Sequence, residues 1–81
     1  TLSSSKSVVA SDPGMTLEAH HHPTRELYIF VAGYGRMRVG DDWFDVSAAT
    51  AVNIPPDAVH EVTCAPEATG PVVWFSIGLL P

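Results

Sequence analysis

The stretch MTLEAHHHPTRELYIFVA, residues 15–32, reads as two short strands separated by a break. Met15–His22 and Glu26–Ala32 are strand-length runs rich in apolar, aromatic and β-branched residues. Pro23-Thr24 interrupts them, because proline fixes φ and removes a ladder donor. Outward from this pair the pattern repeats. Ser7–Ser11, Gly35–Val39, Trp43–Val46, Ala51–Ile54, His60–Cys64 and Val72–Leu79 are further strand-length runs. Asp12-Pro13-Gly14, Gly33-Tyr34-Gly35, Gly40-Asp41-Asp42 and Pro55-Pro56-Asp57 punctuate them with residues that turns require. No helical periodicity of any length is visible. Roughly eight short strands predict an all-β, single-domain chain, closed as a barrel or double-sheet jelly roll over residues 1–81. Thr1 to Ser7, small and polar, is either a disordered or an edge segment.

Composition excludes several functions. Among 81 residues there are four cations (Lys6, Arg25, Arg36 and Arg38) and a net charge of −5. With no basic patch to neutralise phosphates, nucleic-acid binding is not expected. No apolar run approaches the ~18 residues of a membrane span. A domain this small buries a limited share of its surface and calls for a staple. Cys64 is the only cysteine, so an internal disulfide is ruled out, which leaves a metal, a partner subunit, or both. The lone thiol and the missing apolar leader make the cytoplasm the default location.

The chemistry concentrates in four residues. His20 and His22 alternate along a strand and so share a face, about 6.6 Å apart at the backbone. Glu26 opens the next strand beyond the Pro23 turn. His60, 38 residues after His22, opens a strand of its own after Pro55-Pro56-Asp57. Three neutral imidazoles and one carboxylate suit Mn, Fe, Co, Ni, Cu or Zn, and the intrinsic order of affinities does not choose among them. A bound ion would keep residual positive charge to polarise a carbonyl or carboxylate, or to activate water or dioxygen. Spacing alone also admits idle, solvent-exposed histidines. An expression tag would sit at a terminus, and this run is internal.

The spacing as a whole resembles a known pattern. Gly14, five residues, His20, one residue, His22, three residues, Glu26, six residues and Gly33 match the fixed positions of the first cupin motif. Pro55, Asp57 and His60 resemble the core of the second. The resemblance implies a double-stranded β-helix (jelly-roll) barrel of six to eight strands, with one divalent metal ion on His20, His22, Glu26 and His60. It also implies a homodimer. Three positions depart from the pattern: Asp57 replaces the usual glycine, Ala49 stands where a leading glycine falls, and Cys64 replaces a common asparagine. None is a ligand position.

Strand parity extends the site. Thr16 and Glu18 are expected on the face of His20, Tyr28 and Phe30 on that of Glu26, and Val62 and Cys64 on that of His60. Glu18 is a candidate general base and otherwise a solvated residue at the barrel mouth. Tyr28 is a candidate for substrate contact, because a buried hydroxyl wants a partner; Phe30 is read as core. Cys64 is read as a small buried hydrophobe. Arg36 and Arg38 either reach an anionic ligand or are plain surface residues, and Trp43 and Trp74 are core or interface. Leu27, Ile29 and Val31, with Val73, Phe75, Ile77 and Leu79, leave two strands apolar on both faces, which again points to a second subunit. Function classes stay open: a metal-dependent enzyme acting on a small polar organic molecule, dioxygenase-like or carboxylate-directed; an isomerase, epimerase or lyase; a metal-containing small-molecule sensor without catalysis; or a purely structural metal. An oxalate-type decarboxylase is disfavoured, since no arginine neighbours the His20–His22 segment.

Overall fold

A computed structural model of the chain describes residues 3–20 and 23–80. The described residues form eight strands and no helix: β1 (Ser3–Ser11), β2 (Thr16–His20), β3 (Arg25–Ala32), β4 (Tyr34–Val39), β5 (Asp42–Ser47), β6 (Ala51–Ile54), β7 (His60–Cys64) and β8 (Val72–Leu80). They build two four-stranded antiparallel sheets, ordered β1-β8-β3-β6 and β2-β7-β4-β5. This is the expected all-β jelly roll. β1 begins at Ser3, four residues before the expected Ser7, because Ser3 to Ser7 pair with Leu80 to Ser76 along the β8 ladder. Backbone hydrogen bonds do this, and apolar periodicity cannot reveal them.

The core lies between the sheets and follows the pleat. From β3 come Tyr28 and Phe30, from β8 Val72 and Trp74, from β6 Ile54, and from the second sheet Met37, Val46, Val62 and Cys64. Trp74 packs against Tyr28 at 5.5 Å and Phe30 at 5.4 Å between ring centroids. Aromatic rings of this size each bury roughly 150–250 Å², so this trio carries much of the apolar burial. Trp74 is therefore core, whereas Trp43 lies 46% exposed on the outer face of the second sheet.

The two departures from glycine have one backbone cause. Asp57 has φ 63° and Ala49 has φ 72°, both left-handed. Asp tolerates this region better than most residues, and Ala does not. Ala49 is held there in the turn between β5 and β6, its N–H donating to the Phe30 carbonyl at 2.9 Å. The left-handed conformation costs about 1–2 kcal/mol, part of which a glycine gives back as unfolded-chain entropy. Ala49→Gly is therefore expected to stabilise the fold by roughly 0.5–1 kcal/mol, measured as a raised urea midpoint with unchanged slope.

Candidate metal centre

Each sheet contributes one described member of the constellation. Glu26 sits on β3, in the middle of the first sheet, and points inward with 8% exposure. His60 opens β7 in the second sheet and is 1% exposed. Across the interior, His60 Nε2 lies 3.3 Å from Glu26 Oε1. The β2 ladder sets His20 opposite His60 in register. His22 lies outside the described residues, as do the side chains of His20 and Glu18. Among the described residues no three His, Cys, Asp or Glu side chains surround one point.

Both described groups are oriented from behind. Ser76 Oγ, on β8, donates to Glu26 Oε2 at 3.1 Å and leaves Oε1 turned towards His60. His60 Nδ1 lies 2.8 Å from the Ala58 carbonyl, so it is the protonated nitrogen there and donates. In the neutral ring the Nε2 lone pair then faces the carboxylate. Two lone pairs at that distance repel unless a proton or a metal cation lies between them. Two ligands bound to one ion at ~2.1 Å stand about 3.0–3.4 Å apart, and the observed contact falls in that range. A histidine whose other nitrogen donates to a backbone carbonyl is also the usual support of a metal ligand. The donor set thus fits a divalent ion.

Tyr28 shares the inward face of Glu26, as does Phe30. Its ring meets His60 edge-on at 5.7 Å. Burial, and then the negative charge of Glu26, push its hydroxyl up to about 12, against the opposing pull of Trp74 and Ser76. Tyr28 therefore stays protonated across the neutral range, and its hydroxyl keeps a proton to donate while its oxygen can still accept. The buried Trp74 indole N–H approaches that hydroxyl without reaching full hydrogen-bond geometry.

One parity expectation fails. Thr16, expected on the inward face of the site, does not take it. It is exposed on the outer face of the second sheet, its hydroxyl 2.9 Å from that of Thr63. The cause is a register shift in β2 between Leu17 and His20, where one extra residue reverses the alternation. Arg36 and Arg38 lie on the same outer face and flank Trp43 at 5.3 and 5.9 Å. Arg38 pairs with Glu61 at 2.6 Å and Arg36 with Asp45 at 3.7 Å. Arg25 is exposed and donates to Asn53. No arginine is turned into the barrel. An open groove of about 660 Å³ lies beside Trp43, Tyr34 and Pro66, away from the Glu26–His60 pair. The supports Ser76 and Ala58 were not read from sequence. Ser76 left a signal, as a hydroxyl at an inward position of the otherwise apolar β8.

Comparison with known proteins agrees with this fold. The family model for the Cupin domain, Cupin_2, matches residues 7–78. No curated protein matches the sequence. Among solved structures, a cupin protein from Bacteroides fragilis aligns with a TM-score of 0.84 at 19% identity, over 93% of this chain and 64% of that one. The DMSP lyase DddQ from Ruegeria pomeroyi aligns with a TM-score of 0.83 at 21% identity, over 94% and 38%. Bacillus subtilis oxalate decarboxylase, which has Mn(II) centres, aligns with a TM-score of 0.82 at 26% identity, over 93% and 21%. The chain thus spans less than two thirds of these structures. With a family model covering most of its length and a matching two-sheet barrel, the chain belongs to the Cupin_2 family of cupin domains.

Proposed function

We propose that the chain holds one divalent transition-metal ion on His20, His22, Glu26 and His60, and acts through it on a small polar organic molecule. The observation that carries this reading is the 3.3 Å approach of Glu26 Oε1 to His60 Nε2, each oriented from behind by a hydrogen bond. A bound ion would supply a Lewis acid for a carbonyl or carboxylate, or a site for dioxygen. Ser76 and the Ala58 carbonyl hold the two ligands in place. Tyr28 keeps its proton and excludes water from behind Glu26. Glu18 on β2 is the candidate general base.

A metal-dependent enzyme of dioxygenase-like or carboxylate-directed chemistry is the leading form of this reading. The lyase and decarboxylase among the structural neighbours support the carboxylate-directed branch. A guanidinium to hold a second carboxylate is missing from the interior, which still disfavours oxalate-type decarboxylation. A metal-containing sensor is the second form. The buried lone thiol of Cys64 suits a reducing compartment such as the cytoplasm.

Elemental analysis of the tag-free chain, beside a His22→Ala/His60→Ala double variant, tests the proposal. One ion per chain in the parent and none in the variant is the expected result. A parent that stays empty after reloading with Mn, Fe, Co, Ni, Cu and Zn would overturn it. With the metal known, turnover of small carboxylates separates an enzyme from a sensor that only binds them.

A further inference from the structure

Trp74 carries a polar atom that packing alone does not call for. A purely apolar side chain would sit between the sheets without burying a donor. The Trp74 indole is fully buried, and its N–H meets no acceptor at full hydrogen-bond geometry among the described residues. A donor left unmet at such depth is costly, and native cores rarely keep one without a use. The indole is stacked on the Tyr28 ring, 5.5 Å between centroids and 29° between planes. Its N–H approaches the Tyr28 hydroxyl.

The ladder between β3 and β8 shows where this contact leads. Tyr28 and Ser76 are directly opposite in register, and Glu26 stands opposite Gly78. Glycine offers no side chain, so β8 supports the carboxylate from Ser76, one inward position along, whose hydroxyl donates to Glu26 Oε2 at 3.1 Å. The Tyr28 hydroxyl interacts with Ser76 as well as with Trp74. Trp74, Tyr28, Ser76 and Glu26 thus follow one another inside the barrel. Their chemistry fixes the direction of the bonds. An indole N–H can only donate, and a carboxylate can only accept. Ser76 has one proton and spends it on Glu26, so towards Tyr28 it can only accept. Tyr28 therefore accepts from Trp74 and donates to Ser76. Bonds that run one way polarise one another, and the charged acceptor at the end strengthens the last of them.

We propose that Trp74 and Tyr28 are positioning residues for Glu26, forming with Ser76 a one-way chain of hydrogen bonds that pins Oε2 and keeps Oε1 aimed at His60. The chain belongs to the metal-free fold. Its consequence for metal affinity rests on the metal reading. A Trp74 that served packing alone would support the fold without sensing the state of Glu26, and this difference can be measured.

The test follows the indole N–H resonances of Trp74 and of the exposed Trp43 by proton–nitrogen correlation NMR of the metal-free chain. Glu26→Gln exchanges the charged acceptor for a neutral amide of the same shape and so weakens the chain. The Trp74 indole proton is expected to move upfield. The same substitution made in Tyr28→Phe, where the chain is cut, is expected to move it clearly less. An equal response with and without the Tyr28 hydroxyl would mean that Trp74 feels only the field of the carboxylate, and would overturn the proposal, as would no response at all. Ser76→Ala cuts the chain one link later and serves the same comparison should Tyr28→Phe fail to fold. The second readout is affinity for the metal found in the parent, or for Zn(II) where none co-purifies. Tyr28→Phe is expected to loosen it by roughly 10-fold, the low end for a supporting residue, and Trp74→Phe by less. Combined with Tyr28→Phe, Trp74→Phe should add no more than ~2-fold, because links of one chain do not act independently. Fully additive losses would make Trp74 plain core and overturn its role. A parent that binds no metal sinks the metal reading, and the indole resonances then decide the chain by themselves.

Discussion

Glu26→Gln is expected to abolish metal retention while leaving the metal-free fold nearly as stable as the parent. Gln has the shape of Glu, so its amide oxygen can still accept from Ser76, where Oε2 now lies 3.1 Å from Oγ. Its amide nitrogen would then take the place of Oε1, 3.3 Å from His60 Nε2. With His60 Nδ1 donating to the Ala58 carbonyl, Nε2 can accept from that amide. The lone pair that would bind the ion becomes occupied, and the anionic ligand is lost. Affinity should fall by well over the ~100-fold that loss of a merely supporting residue costs. Ser76→Ala, which removes such a support, is the graded comparison, with a loss of ~10–100-fold.

Two melting experiments separate a metal centre from a structural ion pair. Adding the metal found in the parent should raise its melting temperature, because an ion that binds only the folded state stabilises it by mass action. The same addition should leave Glu26→Gln unmoved. Without metal, parent and variant should melt within a few degrees of each other. If the pair instead served as a buried ion pair with no metal role, the substitution would break it, costing about 3–5 kcal/mol in the metal-free protein. A large metal-free loss with no metal effect in the parent would sink the metal reading.

Much of this was legible from sequence, for a physical reason. Strands that bury one face must alternate, and Glu26, Tyr28 and Phe30 on β3 do so, as do His60, Val62 and Cys64 on β7. Both the strands and the inward set follow from that period. What alternation cannot show is where it breaks. The register shift in β2 reverses parity between Leu17 and His20 and turns Thr16 outward, because a bulge is set by the ladder with β7 and leaves no mark in composition. The N-terminal extension of β1 was hidden similarly, since its serines and lysine join the sheet through the backbone. A contact between chain segments far apart, such as Ser76 with Glu26 across the fold, needs the three-dimensional register before it can be read at all, and the local bond of His60 to the Ala58 carbonyl depends on how the chain turns into β7.

The last glycine of the motif, Gly33, marks where the largest loss of stability is expected. It joins β3 to β4 with φ 75°, a region in which an L side chain is strained. A Cβ there would also lie 2.3 Å from the Pro71 carbonyl oxygen and 2.8 Å from Val72 Cα. Both are backbone atoms, and Val72 begins β8 fully buried, so neither can yield without moving the strand that carries Trp74 and Ser76. The left-handed term is worth about 1–2 kcal/mol and the overpacking a further 1–3 kcal/mol, so Gly33→Ala should cost roughly 3 kcal/mol or more. A domain of this length has about 4–12 kcal/mol in total at the usual stability per residue. At ~4–8 °C per kcal/mol, the melting temperature should fall by at least ~12 °C. Gly40→Ala separates the two terms. Gly40 has φ 60°, but a Cβ there meets nothing within 4 Å, so it carries the backbone term alone. Equal losses at both sites would mean that the Pro71–Val72 segment gives way easily and that conformation alone calls for glycine at position 33. A loss at Gly33 exceeding that at Gly40 by 1 kcal/mol or more, on the overpacking range, would show that the motif's final glycine is there to let β8 pass close by.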